Sequence, residues 1–165
     1  MTNHFHLIVR PDEKSNLGKA IGEVHRRYTR KTNFRENWKG YLWQGRFASY
    51  PRDEGWFLRA AAYGELNSVK AGMVKNAWDC RWSSVHGHLA GKDSSGLIQA
   101  ERLISLTGDW RAYFKEAQGY QSDEFEQHER TGRPLGDKGF IEKSERFLQR
   151  ELRKKKPGPK RNGVA

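Results

Sequence analysis

Between Asn3 and Val9 the chain alternates, and at Pro11 the alternation stops; this switch constrains the fold more than any other feature. Phe5, Leu7 and Val9 fall on one face and His4, His6 and Ile8 on the other, the two-residue period of a half-buried strand. Beyond Pro11 the period lengthens. Leu17, Ile21, Val24 and Tyr28 recur at helical spacing, with Ser15 or Asn16 placed as the N-cap, while His25, Arg26, Arg27, Arg30 and Lys31 occupy the other side. The chain therefore opens with a strand and an amphipathic helix whose outer surface is strongly basic.

Further along, the polar stretch 33–40 ends in Gly40 and predicts a loop, and the aromatic-rich Tyr41–Tyr50 predicts a second strand closed by Pro51. Asp53 is placed to cap a helix through Trp56, Phe57 and Leu58 to about Leu66, and WDCRWSSVHGHL predicts an irregular segment packed back on the core. Lys92–Gly96 reads as a linker. Two short helices follow over Ile98–Leu106 and Asp109–Ala117, then a turn-rich break at Gly132–Gly139 and a last helix presenting Phe140, Ser144, Phe147, Leu148 and Leu152. The closing ELRKKKPGPKR is a basic tail that cannot bury a core.

Charge narrows the partner. Lys and Arg number 31 against 20 Asp and Glu, a formal +11, and self-repulsion of that size points to a polyanionic partner. Abundant Trp, Tyr and Phe among the basic residues favour nucleic acid over an anionic membrane surface, because aromatic rings stack on unpaired bases. The single Cys80 excludes an internal disulfide and a cysteine-based zinc site. No apolar stretch is long enough to span a membrane and no secretory signal precedes it, so the chain reads as cytosolic.

Two pairs of residues could carry chemistry. On a strand, His4 and His6 share a face and two imidazoles can converge on one divalent ion, although spacing alone fits two polar residues on an exposed face better. Tyr63 and Asn67 lie four apart on one helix, hence on one face. Asn67 offers an amide oxygen as a third ligand and Tyr63 a phenolic nucleophile; a packed aromatic and a C-terminal cap are the competing readings. His86 and His88 repeat the spacing among glycines and read as surface or packing residues. Glu65 reads as structural, pairing with a nearby Arg. Trp38, Tyr41 and Trp43 fit either base stacking or a core.

Taken together, MTNHFHLIVRP, GYLWQGRFASY, AAYGELNSVKAGMV and WDCRWSSVHGHL, in that order, resemble the IS200-like, REP-associated branch of the single-tyrosine HUH transposases. The resemblance covers residues 1 to about 90, with TGRPLG, the final helix and the basic tail resembling the family's C-terminal region. It implies a ferredoxin-like α+β fold (βαββαβ) with a helical C-terminal extension. It divides the chain into a partial catalytic domain over 1–90, a helical extension over 97–152 and a basic tail over 153–165. It further implies Mg2+ or Mn2+ held by His4, His6 and Asn67, with Tyr63 attacking the scissile phosphate of hairpin-forming single-stranded DNA to leave a 5′-phosphotyrosine link. Read from the residues, Arg26, Arg27, Arg30 and Lys31 fit phosphate tracking or a solvated helix face equally, Arg46 a DNA contact or a buried carboxylate, and Lys154, Lys155, Lys156, Lys160 and Arg161 sequence-independent phosphate contacts, against a solubilising tail. The protein would be nucleoid-associated, a monomer or a homodimer.

The chain departs from the family pattern at its start. The histidine strand, the family's third, begins at residue 3, so the first strand, first helix and second strand are missing. The first strand would lie between the histidine strand and the LWQGRF strand, and without it both present unpaired edges. A decayed gene, a late start at Met1 or strands supplied by a second copy would each account for this. Ser68 and Lys70 replace the more usual proline and arginine. The expected activity is DNA cleavage and strand transfer; the alternatives are a truncated, inactive remnant that only binds DNA, and an unrelated RNA-binding domain.

Overall fold

The computed structural model describes residues 4–12, 14, 16–93, 95–117 and 123–153, omitting the side chains of 123, 124 and 126. Its described helices are α1 (Leu17–Glu36), α2 (Glu54–Lys70), α3 (Val85–Ala90), α4 (Ala100–Thr107), α5 (Trp110–Glu116), α6 (Asp123–Thr131) and α7 (Lys138–Leu148), with a 3-10 turn at Ala77–Asp79.

Helix α2 is the axis of the molecule. Asp53 caps it, Oδ1 accepting from the Trp56 amide at 2.9 Å, and its Oδ2 accepts from the Asp137 amide at 2.8 Å. One carboxylate thus starts α2 and fastens the chain that leads into α7. Gly136 makes this approach possible: a Cβ there would lie 2.5 Å from Phe140 Cδ1 and 2.8 Å from Asp53 Oδ2. Beside it Leu135 and Arg52 form an isolated parallel bridge, with the Leu135 amide 2.9 Å from the Pro51 carbonyl and the Asp53 amide 3.1 Å from that of Leu135.

The consecutive buried alanines 60, 61 and 62 give α2 a narrow waist, so helices close on it from two sides. One side buries Ala61, Ala62 and Leu66 with Val85, Leu103, Trp110 and Phe114 from α3, α4 and α5. The other buries Ala60 with Phe125 of α6 and Leu135, and Tyr50, Trp56 and Tyr63 pack against them. Each fully buried aliphatic side chain here, such as Val85 or Leu103, contributes about 1.5–3 kcal/mol of transfer free energy.

Glu65 is only 3% exposed and stands where three elements meet. It accepts from Ser84 Oγ at 3.1 Å and Trp110 Nε1 at 3.2 Å, and bonds His88 Nδ1. The expected arginine partner is therefore a histidine, and the WSSVHGHL stretch is explained: Ser84 and His88 are spaced four apart to reach one buried carboxylate from α3 and its N-terminus. His86 instead lies exposed, its Nε2 3.3 Å from the Cys80 carbonyl.

The expected ferredoxin-like α+β sheet is overturned. Among the described residues there is no strand and no sheet, only the isolated bridge at Arg52. A strand exists by pairing its backbone, and neither expected strand finds a ladder. The segment 4–10 is irregular and Tyr41–Tyr50 bends repeatedly. They do meet, but through rings: Phe5 packs edge-on against Trp43 at 5.9 Å. The expected facing of the first segment does not hold either. Phe5, Leu7 and Val9 are about half exposed, whereas His6 is the half-buried residue of the stretch.

Other differences are local. Helix α1 runs on to Glu36, through the expected start of the loop, and ends at left-handed Asn37. It is capped by Asn16, Oδ1 accepting from Lys19 at 2.8 Å; Ser15 lies outside the described residues. The segment expected to be irregular holds the 3-10 turn and α3, and α6 was unanticipated. In α7, Phe147 points outward rather than joining a buried face.

Candidate active site

The two pairs singled out from the sequence come together on α2. The segment carrying the histidines crosses that helix at Gly64, where a Cβ would sit 4.0 Å from the His6 Cβ. The His6 ring lies edge-on to Tyr63 with centroids 5.6 Å apart, and His4 lies edge-on to His6 at 5.2 Å. Asn67 is one turn on from Tyr63 and buried, 7% exposed. It is not a cap: α2 closes on Ala71, whose amide donates to the Asn67 carbonyl at 2.9 Å.

The polar atoms here are unusual. His6 Nε2, Asn67 Nδ2 and Ser68 Oγ are buried with no hydrogen-bond partner among the described residues. A buried polar group left unpaired costs about 1–3 kcal/mol, so such atoms mark either strain or a place for something polar. Burial first, then the fields of His4 and Arg52, holds His6 below the ordinary imidazole pKa and hence neutral near pH 7. A neutral imidazole has one lone pair to offer, and an amide can turn its oxygen to where its nitrogen stands. Two imidazoles and an amide are a donor set that fits a divalent metal ion. Among the described residues, no group of three or more His, Cys, Asp or Glu stands placed to hold a metal ion.

One cation stands against the Tyr63 ring and another lies close to His6. Lys70 Nζ stands 5.1 Å from the centroid of the Tyr63 ring, one further turn along α2. Arg52 lies 4.8 Å over the Tyr50 ring, and desolvation lowers the pKa of its guanidinium. Burial pushes the Tyr50 phenol up, so the Tyr50 hydroxyl stays protonated at neutral pH. From the C-terminal half, Phe125 stacks on Tyr63 at 4.8 Å with the rings 25° from parallel, and Glu129 Oε1 approaches His6 Nδ1 at 3.6 Å.

Arg52, Phe125 and Glu129 were not anticipated as site residues. Arg52 stood beside the Asp53 cap as an ordinary helix-leading residue, and Phe125 and Glu129 arrive on a helix far downstream whose position no local pattern announces. Lys70 was visible as a departure from the family pattern, without a role.

The expected DNA contacts divide. Arg26 and Arg27 are exposed, but both donate to Glu23 at 2.7 Å, which halves the positive charge they present together. Arg30, Lys31 and Arg46 are exposed to solvent. Lys154, Lys155, Lys156, Lys160 and Arg161 lie outside the described residues. Trp43 stacks on His25 at 4.0 Å and donates from Nε1 to its carbonyl at 3.3 Å, so it belongs to the fold, while Trp38 and Tyr41 stand exposed beyond α1. No described helix is long and apolar enough to cross a membrane.

The chain matches no protein-family model, no curated protein and no solved structure.

Proposed function

We propose that the chain is a metal-dependent, single-tyrosine enzyme acting on single-stranded, hairpin-forming DNA, of the IS200-like, REP-associated transposase kind. One observation carries the reading: His6 lies against Tyr63, with His4 beside it and Asn67 a turn away, and His6 and Asn67 hold buried polar atoms with no hydrogen-bond partner among the described residues. The histidine segment and the Tyr63–Asn67 pair are far apart in sequence.

His4, His6 and Asn67 would hold Mg2+ or Mn2+, which supplies charge neutralisation and orientation at the scissile phosphate. Tyr63 Oη attacks phosphorus in line, forming the Oη–P bond as the P–O3′ bond breaks. The phenolic proton passes to solvent, and the departing 3′ oxygen takes up a proton to become a hydroxyl. The phosphotyrosine diester conserves the bond energy, so the 3′-hydroxyl of another strand can reverse the step without a nucleotide cofactor. Arg52 and Lys70, close to His6 and Tyr63, complement the phosphate's negative charge. The exposed Arg30, Lys31 and Arg46 add phosphate contacts that position the strand.

Incubation with a hairpin-bearing single strand and Mn2+ tests the reading. A covalent protein–DNA adduct that survives denaturation and disappears in Tyr63→Phe is the expected result. Binding without an adduct would instead identify a protein that only holds DNA, a reading the missing sheet favours. Equal affinity for unstructured RNA would overturn both.

A further inference from the structure

The C-terminal half of the chain reaches the candidate site through α6, and nothing in the motif pattern gives it a part there. Phe125 of α6 is buried and stacked on Tyr63, which fixes this helix against the phenol. One turn on, the His128 Nδ1 lies 2.9 Å from the Arg133 carbonyl and its ring 5.9 Å from Tyr50, so the far end of α6 is fastened too. Between these anchors and the histidine segment stands Glu129, its side chain 35% exposed, with Oε1 3.6 Å from His6 Nδ1.

We infer that Glu129 is a positioning residue for His6: its carboxylate selects the ring form with the proton on Nδ1, leaving the Nε2 lone pair for a divalent metal ion. The inference rests on the metal-dependent reading above. Neutral imidazole carries one N–H and one lone pair, and the hydrogen bond made by one nitrogen decides which form is present. Among the described residues, His6 presents its Nδ1 to the carboxylate of Glu129, and its Nε2 is a buried atom without a hydrogen-bond partner. A separation of 3.6 Å is closed to hydrogen-bond length by a small rotation of the glutamate, which its partial exposure permits. The other groups around His6 cannot replace it: His4 and Tyr63 meet it through ring edges, and Arg52 is a donor. A histidine ligand backed by a carboxylate binds metal more tightly because its orientation and tautomer are set beforehand.

The test uses the full chain. In the metal-free protein, long-range proton–nitrogen NMR spectra of labelled histidine, with His6 assigned from His6→Gln, report which nitrogen carries the proton. The expected result is Nδ1–H in the wild type and a shift toward Nε2–H in Glu129→Ala. Mn2+ titration followed by electron paramagnetic resonance should show affinity weakened by roughly 10- to 100-fold in Glu129→Ala and by less in Glu129→Gln, which retains an acceptor. Thermal melting of both variants should match the wild type, since the replaced side chain is partly exposed. An unchanged His6 tautomer together with Mn2+ affinity within about twofold of wild type overturns the inference. If His6→Ala leaves Mn2+ affinity unchanged, the metal reading fails by itself, and the tautomer measurement still decides whether Glu129 orients His6.

Discussion

The N-terminal stretch through Tyr50 and the helical body that begins at Asp53 follow different physical regimes. In the body, α2 buries residues on two sides, and its one buried carboxylate is satisfied from α3, its N-terminal flank and α5 together. In the N-terminal stretch α1 is the longest described helix, yet Thr32 is its only buried residue, and Phe34, Trp38 and Tyr41 stand in solvent. Both stretches have helical periodicity. What separates them is whether the apolar stripe meets a partner, since most helical stability in a protein comes from packing rather than propensity. The candidate site lies at their seam, where the histidine segment of the first crosses α2 of the second.

The sharpest way to break this contrast is at Glu65. Glu65→Ala leaves His88, Ser84 and Trp110 Nε1 unpaired inside the body, and urea unfolding should show a loss of about 3–5 kcal/mol. A loss under 1 kcal/mol would mean that the helices of the body do not depend on this tie. Gly136→Ala should come next. Its Cβ would meet Phe140 and the Asp53 carboxylate at the distances given above, so the start of α7 must shift, costing about 1–3 kcal/mol. Asp53→Ala removes the α2 cap and the acceptor for the Asp137 amide, for a loss of about 1–2 kcal/mol by the same measurement.

Tyr41→Ser and Phe34→Ser, both in the N-terminal stretch, should change global stability by no more than about 0.5 kcal/mol, because neither ring is buried. Hydrogen exchange should accordingly find α1 amides opening well before those of α2. If α1 is protected as strongly as α2, the contrast collapses. The smallest effect belongs to Glu23. Its bonds to Arg26 and Arg27 hold its carboxyl down at about 2, so the pairing is complete above the ordinary value of 4.5 and fades as pH falls through about 2. Circular dichroism of Glu23→Gln should therefore differ slightly from wild type at neutral pH and coincide with it in strong acid.

Much of the helical body was legible. The Asp53 cap, the run of apolar residues behind it and the two short helices α4 and α5 all carry signals that act within a few residues. The pairing of Tyr63 with Asn67 was legible for the same reason, since four residues along a helix return to one face. The two strands were not, because period two states only which side chains share a face and says nothing about whether a neighbouring backbone exists to pair with. Phe5, Leu7 and Val9 show the consequence: with no ladder to orient it, the segment turned His6, not its apolar residues, toward the body.

By itself, then, the sequence determined the starts of α1, α2 and α5, the basic outer surface of α1 and the shared face of Tyr63 with Asn67. These are local matters, set by caps, charge and repeat period. Only the tertiary structure decided that His6 meets Tyr63, that Glu65 takes a histidine rather than an arginine, and that Phe125 and Glu129 arrive at the same place from α6. Contacts between distant segments depend on which surfaces can be buried together, and no window of neighbouring residues contains that information.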